Sequence, residues 1–204
     1  MTSRTQRNTK AKREAPKSLD RAAWLMAAWR ALARSGVEGV RVEPLASELG
    51  VTKGSFYWHF ADRAALLDAL LEDWERRATA AVIDRVDATS EDPRVRLREL
   101  VHFTTSVSEA PDAEHAIRAW GAVDGAARKK LDRVDARREA YVRALLIAAG
   151  VDEGVASFRA HVVYLALIGE YARVAHGGAR TSLDAWEELL RMTLGPSSPR
   201  ASSA

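Results

Sequence analysis

Apolar residues recur along this chain at intervals of three and four, the spacing that places them on one face of an α-helix. The first such stretch contains Leu25, Trp29 and Leu32. Strand-like alternation is essentially absent, and the prolines fall where a helix can begin or has already ended. The pattern predicts an all-α protein, with helices over residues 18–34, 44–49, 53–60, 62–86, 94–108, 113–120, 126–149, 153–176 and 182–194.

Short polar residues and glycines set the predicted boundaries of the first three helices. Ser18 is expected to cap the first helix, since a serine hydroxyl can accept a hydrogen bond from a free N–H group of the first turn. Gly36 and Gly50 are expected to end the first and second helices. Thr52 is the predicted cap of the third helix.

Both ends of the chain differ in composition from its middle. Residues 1–17 hold six cationic side chains and one acidic side chain among polar residues, which predicts a basic disordered arm. Such an arm can follow phosphates or enter a minor groove, although a solvated terminus without function is an equal alternative. Residues 196–204 are rich in Pro and Ser and predict a disordered tail.

The composition argues against several classes of protein. The chain has 204 residues, 47% of them hydrophobic, and no cysteine, which excludes disulfides and thiolate chemistry. No apolar run is long enough to span a bilayer, and the polar N-terminus does not resemble a secretory signal. No phosphate-binding loop, dinucleotide fingerprint, nucleophile elbow or paired-histidine zinc motif is present. We therefore expect a cytoplasmic protein that is not an enzyme and needs no cofactor or metal.

Residues 42–60 predict two short helices separated by a tight turn at Gly50, the arrangement of a helix-turn-helix. Phe56 and Phe60 are four residues apart and are expected to face the core. Either Tyr57 or Trp58 could also be buried in the core. Both cannot lie on the same face as Phe56 and Phe60, so at least one of them needs another explanation. Hydrogen-bonding and aromatic groups on an exposed short helix suit the major groove of DNA.

Residues 20–75 resemble the tetracycline-repressor (TetR/AcrR) family of bacterial regulators. The resemblance is strongest over residues 53–60, which read KGSFYWHF, and it extends to Leu45-Ala46, Gly50-Val51 and residues 66–70. It implies a three-helix DNA-binding head over residues 18–64 and a helical effector-binding and dimerisation domain over residues 65–195. It further implies a cytoplasmic homodimer, typically a repressor, which a small-molecule effector releases from a palindromic operator.

By this resemblance, the groove-facing and phosphate-facing residues are Arg41, Thr52, Lys53, Ser55, Tyr57, Trp58, His59 and Arg63. The chain departs from the family at two positions in this region. Arg41 stands where a helix-capping Thr is usual, and Glu43 stands where a neutral or basic residue is common. The alternative to a regulator is a helical module that binds a small molecule but no specific DNA sequence.

The second half of the chain offers weaker signals. Amphipathic groups on otherwise apolar helices predict an effector pocket, formed by His102, Phe103, Trp120, Tyr141, His161 and Tyr164. Two apolar stripes predict a four-helix dimer interface, formed by Phe158, Val162, Leu165, Gly169, Ala172, Leu183, Trp186 and Leu190. For the pocket residues the alternative is an ordinary core or boundary position, and both stripes could instead face the chain's own core.

Overall fold

A computed structural model describes residues 20–106 and 110–195, and every regular element in those ranges is helical, as the sequence predicts. The predicted arm (1–17), the Ser18 cap and the predicted tail (196–204) lie outside the described residues. Within the described ranges no helix has the length and apolar character that crossing a membrane requires. The elements are α1 (Arg21–Gly39), α2 (Val42–Leu49), α3 (Lys53–Phe56), α4 (Arg63–Glu75), a π-helical turn (Arg76–Ala80), α5 (Ala81–Asp87), α6 (Pro93–Ser106), α7 (Ala110–Val123), α8 (Gly125–Ala148), α9 (Glu153–Ala175) and α10 (Leu183–Leu194).

Several helix boundaries near the N-terminus differ from the prediction. Helix α1 begins at Arg21 because Asp20 caps it, its carboxylate accepting from the Ala23 N–H at 2.9 Å. Gly36 interrupts the helix as expected, since its φ of 65° is left-handed, but helical turns resume up to Gly39. Helix α3 ends at Phe56, four residues earlier than predicted.

The helix predicted over residues 62–86 is present but contains a π-helical turn. Asp62 caps α4 through the Ala65 N–H at 2.8 Å. After Trp74 the next fully buried position is Thr79, five residues later instead of four. A π-helical turn accommodates this extra residue, and such turns are frequent at functional sites.

The head, made of α1 to α3 and the start of α4, is organised around aromatic residues. Trp24 meets Phe56 edge to face with ring centroids 5.2 Å apart, and Phe56 stacks on Phe60 at 5.4 Å. All three are buried, which confirms the core positions predicted for Phe56 and Phe60. The same core continues into α7 and α8 through Ile117 and Leu131, so the head rests on the body without a separating linker.

The body is formed by α6 to α10, and one of its helices corrects the predicted dimer interface. Trp186 and Leu190 of α10 are buried against Val101 of α6 within the same chain. Their spacing marked an apolar face correctly, but that face is already covered and cannot meet a second copy. Leu183, at the start of α10, is 48% exposed.

The burial of α10 gives a stability prediction. Leu190→Ala is expected to lower the free energy of unfolding by about 2–5 kcal/mol, because a large side chain is removed from a packed core. Met192→Ala on the same helix is the control, since Met192 is 67% exposed and its truncation should cost at most about 0.5 kcal/mol. Urea unfolding followed by circular dichroism measures both. Equal losses in the two variants would contradict the described packing of α10.

Candidate DNA-binding face and effector cavity

Helix α3 and the turn that follows it carry a row of polar and aromatic side chains, here called the recognition face (Lys53, Ser55, Tyr57, Trp58 and His59). Gly50 ends α2 in the left-handed conformation, which lets the Val51 N–H reach the Ala46 carbonyl at 3.0 Å. Burial of Phe56 then fixes the rotation of α3.

On the recognition face Trp58 is 88% exposed and Tyr57 is 52% exposed, with the Tyr57 ring edge-on to Phe56. Lys53 is also exposed, whereas Ser55 and His59 are half-buried. Thr52 and Arg41 are exposed at the edges of this face, and neither side chain caps its helix. The aromatic pair is therefore not part of the core, in agreement with the prediction from spacing.

Lys53 and Glu43 form an exposed ion pair across the two helices, with Nζ 2.5 Å from Oε1. The hydrogen bond from Lys53 lowers the pKa of Glu43, and the bond to Glu43 raises the pKa of Lys53. Both groups are thus charged at neutral pH. Glu43, the unusual residue noted in the sequence, holds the lysine that would otherwise be free for a phosphate.

Arg63 has a different environment from the one expected. Its Nε donates to the Val40 carbonyl at 2.6 Å and a terminal nitrogen donates to the Val37 carbonyl at 2.7 Å. These bonds hold the connection between α1 and α2, where the helix leaves carbonyls without intrahelical partners. Arg63 thus stabilises the head from a half-buried position, and its contact with a phosphate stays a prediction.

A cavity of about 240 Å³ lies between helices α6 to α10 of the body, the π-helical turn and the adjoining parts of α1, α4 and α5. Of the six predicted effector residues, Phe103, Tyr141 and Tyr164 line it. His102 is exposed and borders a smaller depression, His161 is exposed and pairs with Glu139 at 3.1 Å, and Trp120 is buried in the core that joins head and body. The prediction is therefore wrong for these three residues at this cavity, because two of the side chains are exposed to solvent and the third packs in the core.

The cavity wall also contains residues that the sequence interpretation did not select for the pocket: Trp29, Trp74, Thr79, Glu114, Arg138 and Tyr171. The sequence contained one signal for this part of the wall. Arg138 occurs among Leu131, Val134 and Val142 at helical spacing, so a cation stands where α8 should be apolar. A charged residue at a core position needs buried partners and often marks a site.

Those partners form a polar network inside the body. Arg138 donates to Glu114 at 3.1 Å and to the Thr79 hydroxyl at 2.9 Å. It also donates to the Ala78 carbonyl at 3.2 Å. Burial opposes the charge on Arg138, but Glu114 and Tyr164 together outweigh it and raise the pKa of the guanidinium. The network therefore ties α8 and α7 to the π-helical turn.

A second pair of charges extends the network away from the cavity. Arg118 pairs with Glu114 at 2.8 Å and makes two bonds to Asp135 at 2.8 and 3.0 Å. Tyr164 donates to Asp135 at 2.6 Å, and burial raises the pKa of its hydroxyl, so it stays protonated. Fixed polar groups on an apolar wall are typical of a small-molecule site.

One side of α9 carries apolar side chains that the chain itself leaves uncovered. Phe158 is 71% exposed and Leu165 is 53% exposed, and Val162 lies between them. Gly169 and Ala172 continue the same stripe with small residues and are also exposed. The stripe and Leu183, here called the α9 face, contain the predicted dimer residues that remain after the correction of Trp186 and Leu190.

Comparison with known proteins supports the resemblance seen in the sequence. Residues 25–70 match the family model described as bacterial regulatory proteins, tetR family. The class C tetracycline repressor of Escherichia coli is 44% identical over 54 residues, which cover 26% of this chain and 25% of the repressor. These matches support a transcriptional regulator of the tetR type. The resemblance inferred from KGSFYWHF is thereby confirmed, and the family is one of regulators, not of enzymes.

Two further comparisons extend the likeness beyond the head. The HTH-type transcriptional regulator BetI of Burkholderia ambifaria is 28% identical over 125 residues, or 60% of this chain. The chain spans 64% of the length of that relative. A protein of Saccharomonospora viridis, crystallised in complex with choline, superposes with a TM-score of 0.63 at 22% identity over 83% of this chain and 92% of its own. The last comparison shows a shared fold.

The Lys53–Glu43 pair leads to a prediction about DNA affinity. Glu43→Gln is expected to strengthen binding to duplexes of random sequence and to steepen the salt dependence by about one counterion, because Lys53 becomes free to neutralise a phosphate. Fluorescence anisotropy at several salt concentrations measures both. Glu153→Gln is the control, since it removes the same charge from an ion pair with Arg143 on the body. An equal effect of that control would mean that net charge alone is responsible.

Proposed function

We propose that this protein is a dimeric transcriptional regulator, in its usual action a repressor, which binds a palindromic operator through two recognition faces and leaves it when an effector occupies the cavity. The observation that carries the proposal is the exposure of Tyr57 and Trp58 at the end of the second helix of a helix-turn-helix, which begins at Lys53. Large aromatic side chains held in water by a well-packed core mark an interaction surface.

The chemistry of the recognition face favours DNA as its partner. A tyrosine hydroxyl, a lysine and a histidine can reach phosphates and base edges, and the indole of Trp58 can pack against a thymine methyl group or sugar. Thr52 and Arg41 lie at the edges, where the DNA backbone would pass. A rigid core beneath the face keeps these groups in position, so little order would have to be gained on binding.

The α9 face supports dimerisation. Its large residues are three or four positions apart and therefore lie along one side of α9. Gly169 and Ala172 continue that side, and their small size permits a close approach of a second helix. Two copies related by a twofold axis would cover this face in both subunits and place two heads on successive major grooves. We therefore assign the face to a second copy of this chain.

The cavity supports control by a small molecule. Its wall includes Trp74 of α4 and Thr79 of the π-helical turn, and α4 begins in the head at Arg63. A ligand that prefers one arrangement of this wall would shift the population of head orientations by its difference in affinity. The Saccharomonospora viridis protein, which was crystallised with choline, supports a small organic effector in this fold.

Binding to selected DNA tests the proposal against the alternative of a ligand-binding module without sequence-specific DNA binding. Selection from a random pool should enrich a palindrome, and Tyr57→Ala or Trp58→Ala should weaken its binding about tenfold or more, since a good base contact is worth about 1–3 kcal/mol. Val123→Ala, exposed on the body, is the control. Weak binding without sequence preference, unchanged in both variants, would favour the ligand-binding module.

Dimerisation has its own test. Phe158→Asp and Leu165→Asp should each convert the protein to monomers in sedimentation velocity, because a charge would be buried without a partner. Operator affinity should fall when the dimer is lost, since the two heads no longer bind the DNA together. Val123→Asp places the same charge on another exposed apolar position and should remain dimeric. A dimer that persists in both α9 variants would place the interface elsewhere.

A further inference from the structure

The cavity wall is rich in aromatic rings, but the protein's own arginines already cover several of them. Arg138 lies over Trp74 at 5.0 Å and Arg77 lies over Trp29 at 5.3 Å, measured from the guanidinium carbon to the ring centroid. Arg85 lies over Phe103 at 4.3 Å. A quaternary ammonium ligand needs such ring faces for itself. Here it would meet guanidinium groups at each of these three rings.

The negative charge of the cavity wall is already neutralised by ion pairs within the protein. Among the described residues that line the cavity, Glu114 is the one carboxylate, and it is 3% exposed. It accepts from Arg138 and Arg118, and from the Trp74 indole N–H at 3.3 Å. A buried carboxylate that already faces two guanidinium groups has no charge left to balance a cationic ligand.

Arg77 offers the opposite charge to a ligand. It lines the cavity from the π-helical turn, and its side chain is 51% exposed. Its ion partner, Asp73, is shared with Arg76 and with the Trp29 indole N–H. Because a guanidinium has five N–H donors and the Asp73 contact uses a single terminal nitrogen of Arg77, donors remain for an incoming acceptor.

We propose that the effector is an organic anion with an aromatic or aliphatic body, held by the ring-lined cavity and by Arg77 at its acidic group. This rests on the proposed effector role of the cavity and adds its ligand class. The body would be desolvated among the aromatic residues, and the carboxylate would make a charge-assisted bond with a half-exposed guanidinium. Organic cations such as choline would bind poorly, unlike in the Saccharomonospora viridis protein.

Three probes that share one aromatic ring but differ in charge test the proposed ligand class. Isothermal titration of the full-length protein with benzoate, benzyl alcohol and benzyltrimethylammonium compares anion, neutral molecule and cation. We expect benzoate to bind about tenfold tighter than benzyl alcohol, and the cation to bind weakest. Choline is added as a fourth probe. Tighter binding of benzyltrimethylammonium or choline than of benzoate would overturn the proposal while leaving an effector cavity in place.

Two neighbouring arginines supply a matched pair of variants. Arg77→Met should abolish the preference for benzoate over benzyl alcohol, a loss of about tenfold, and leave the affinity for the alcohol nearly unchanged. Arg76→Met removes the other guanidinium that pairs with Asp73, is outside the cavity wall, and should retain the preference. The same loss in both variants would assign the effect to Asp73 and contradict the role of Arg77.

The outcome for the ligand is separable from the outcome for the function. Failure of all four probes to bind would overturn the proposed ligand class, since each would fit a cavity of about 240 Å³. The operator selection uses no ligand, so enrichment of a palindrome would still support the regulator in that case.

Discussion

The ion pair between Arg138 and Glu114 is the interaction on which the body depends. It joins α8 to α7 through two largely buried side chains and, through Thr79 and the Ala78 carbonyl, it holds the π-helical turn. Breaking such a pair by removing one partner typically costs about 3–5 kcal/mol, because the remaining charge is left buried. The cavity is therefore built around a polar centre that the ligand must accommodate and cannot easily displace.

The head depends on a different kind of constraint. Trp24, Phe56 and Phe60 form its aromatic centre, and the backbone carbonyls behind them are held by Arg63. Because Phe56 is fully buried, the adjacent Tyr57 and Trp58 are forced outward. The exposure of the recognition face is thus a geometric consequence of the core, and it does not require any contact with a partner.

Local patterns in the sequence predicted the helices and the recognition face, because helical periodicity and an i, i+4 pair of phenylalanines are properties of neighbouring residues. The family followed from the same short stretch. Pairings between distant residues were beyond that kind of inference: Trp186 and Leu190 show an apolar face whose partner could be either α6 or a second copy. His102 and Trp120 failed as pocket residues for the same reason, whereas Arg138 was detectable as a charge within an apolar stripe.

The π-helical turn changes which side of α4 faces the body. In an α-helix each residue advances by about 100°, so one additional residue within a turn offsets the faces on either side of it. Trp74 and Thr79 can both face the cavity because of this offset. A backbone hydrogen-bond pattern at the cavity wall therefore sets which side of α4 faces the body, and α4 is the helix that leads directly from the head.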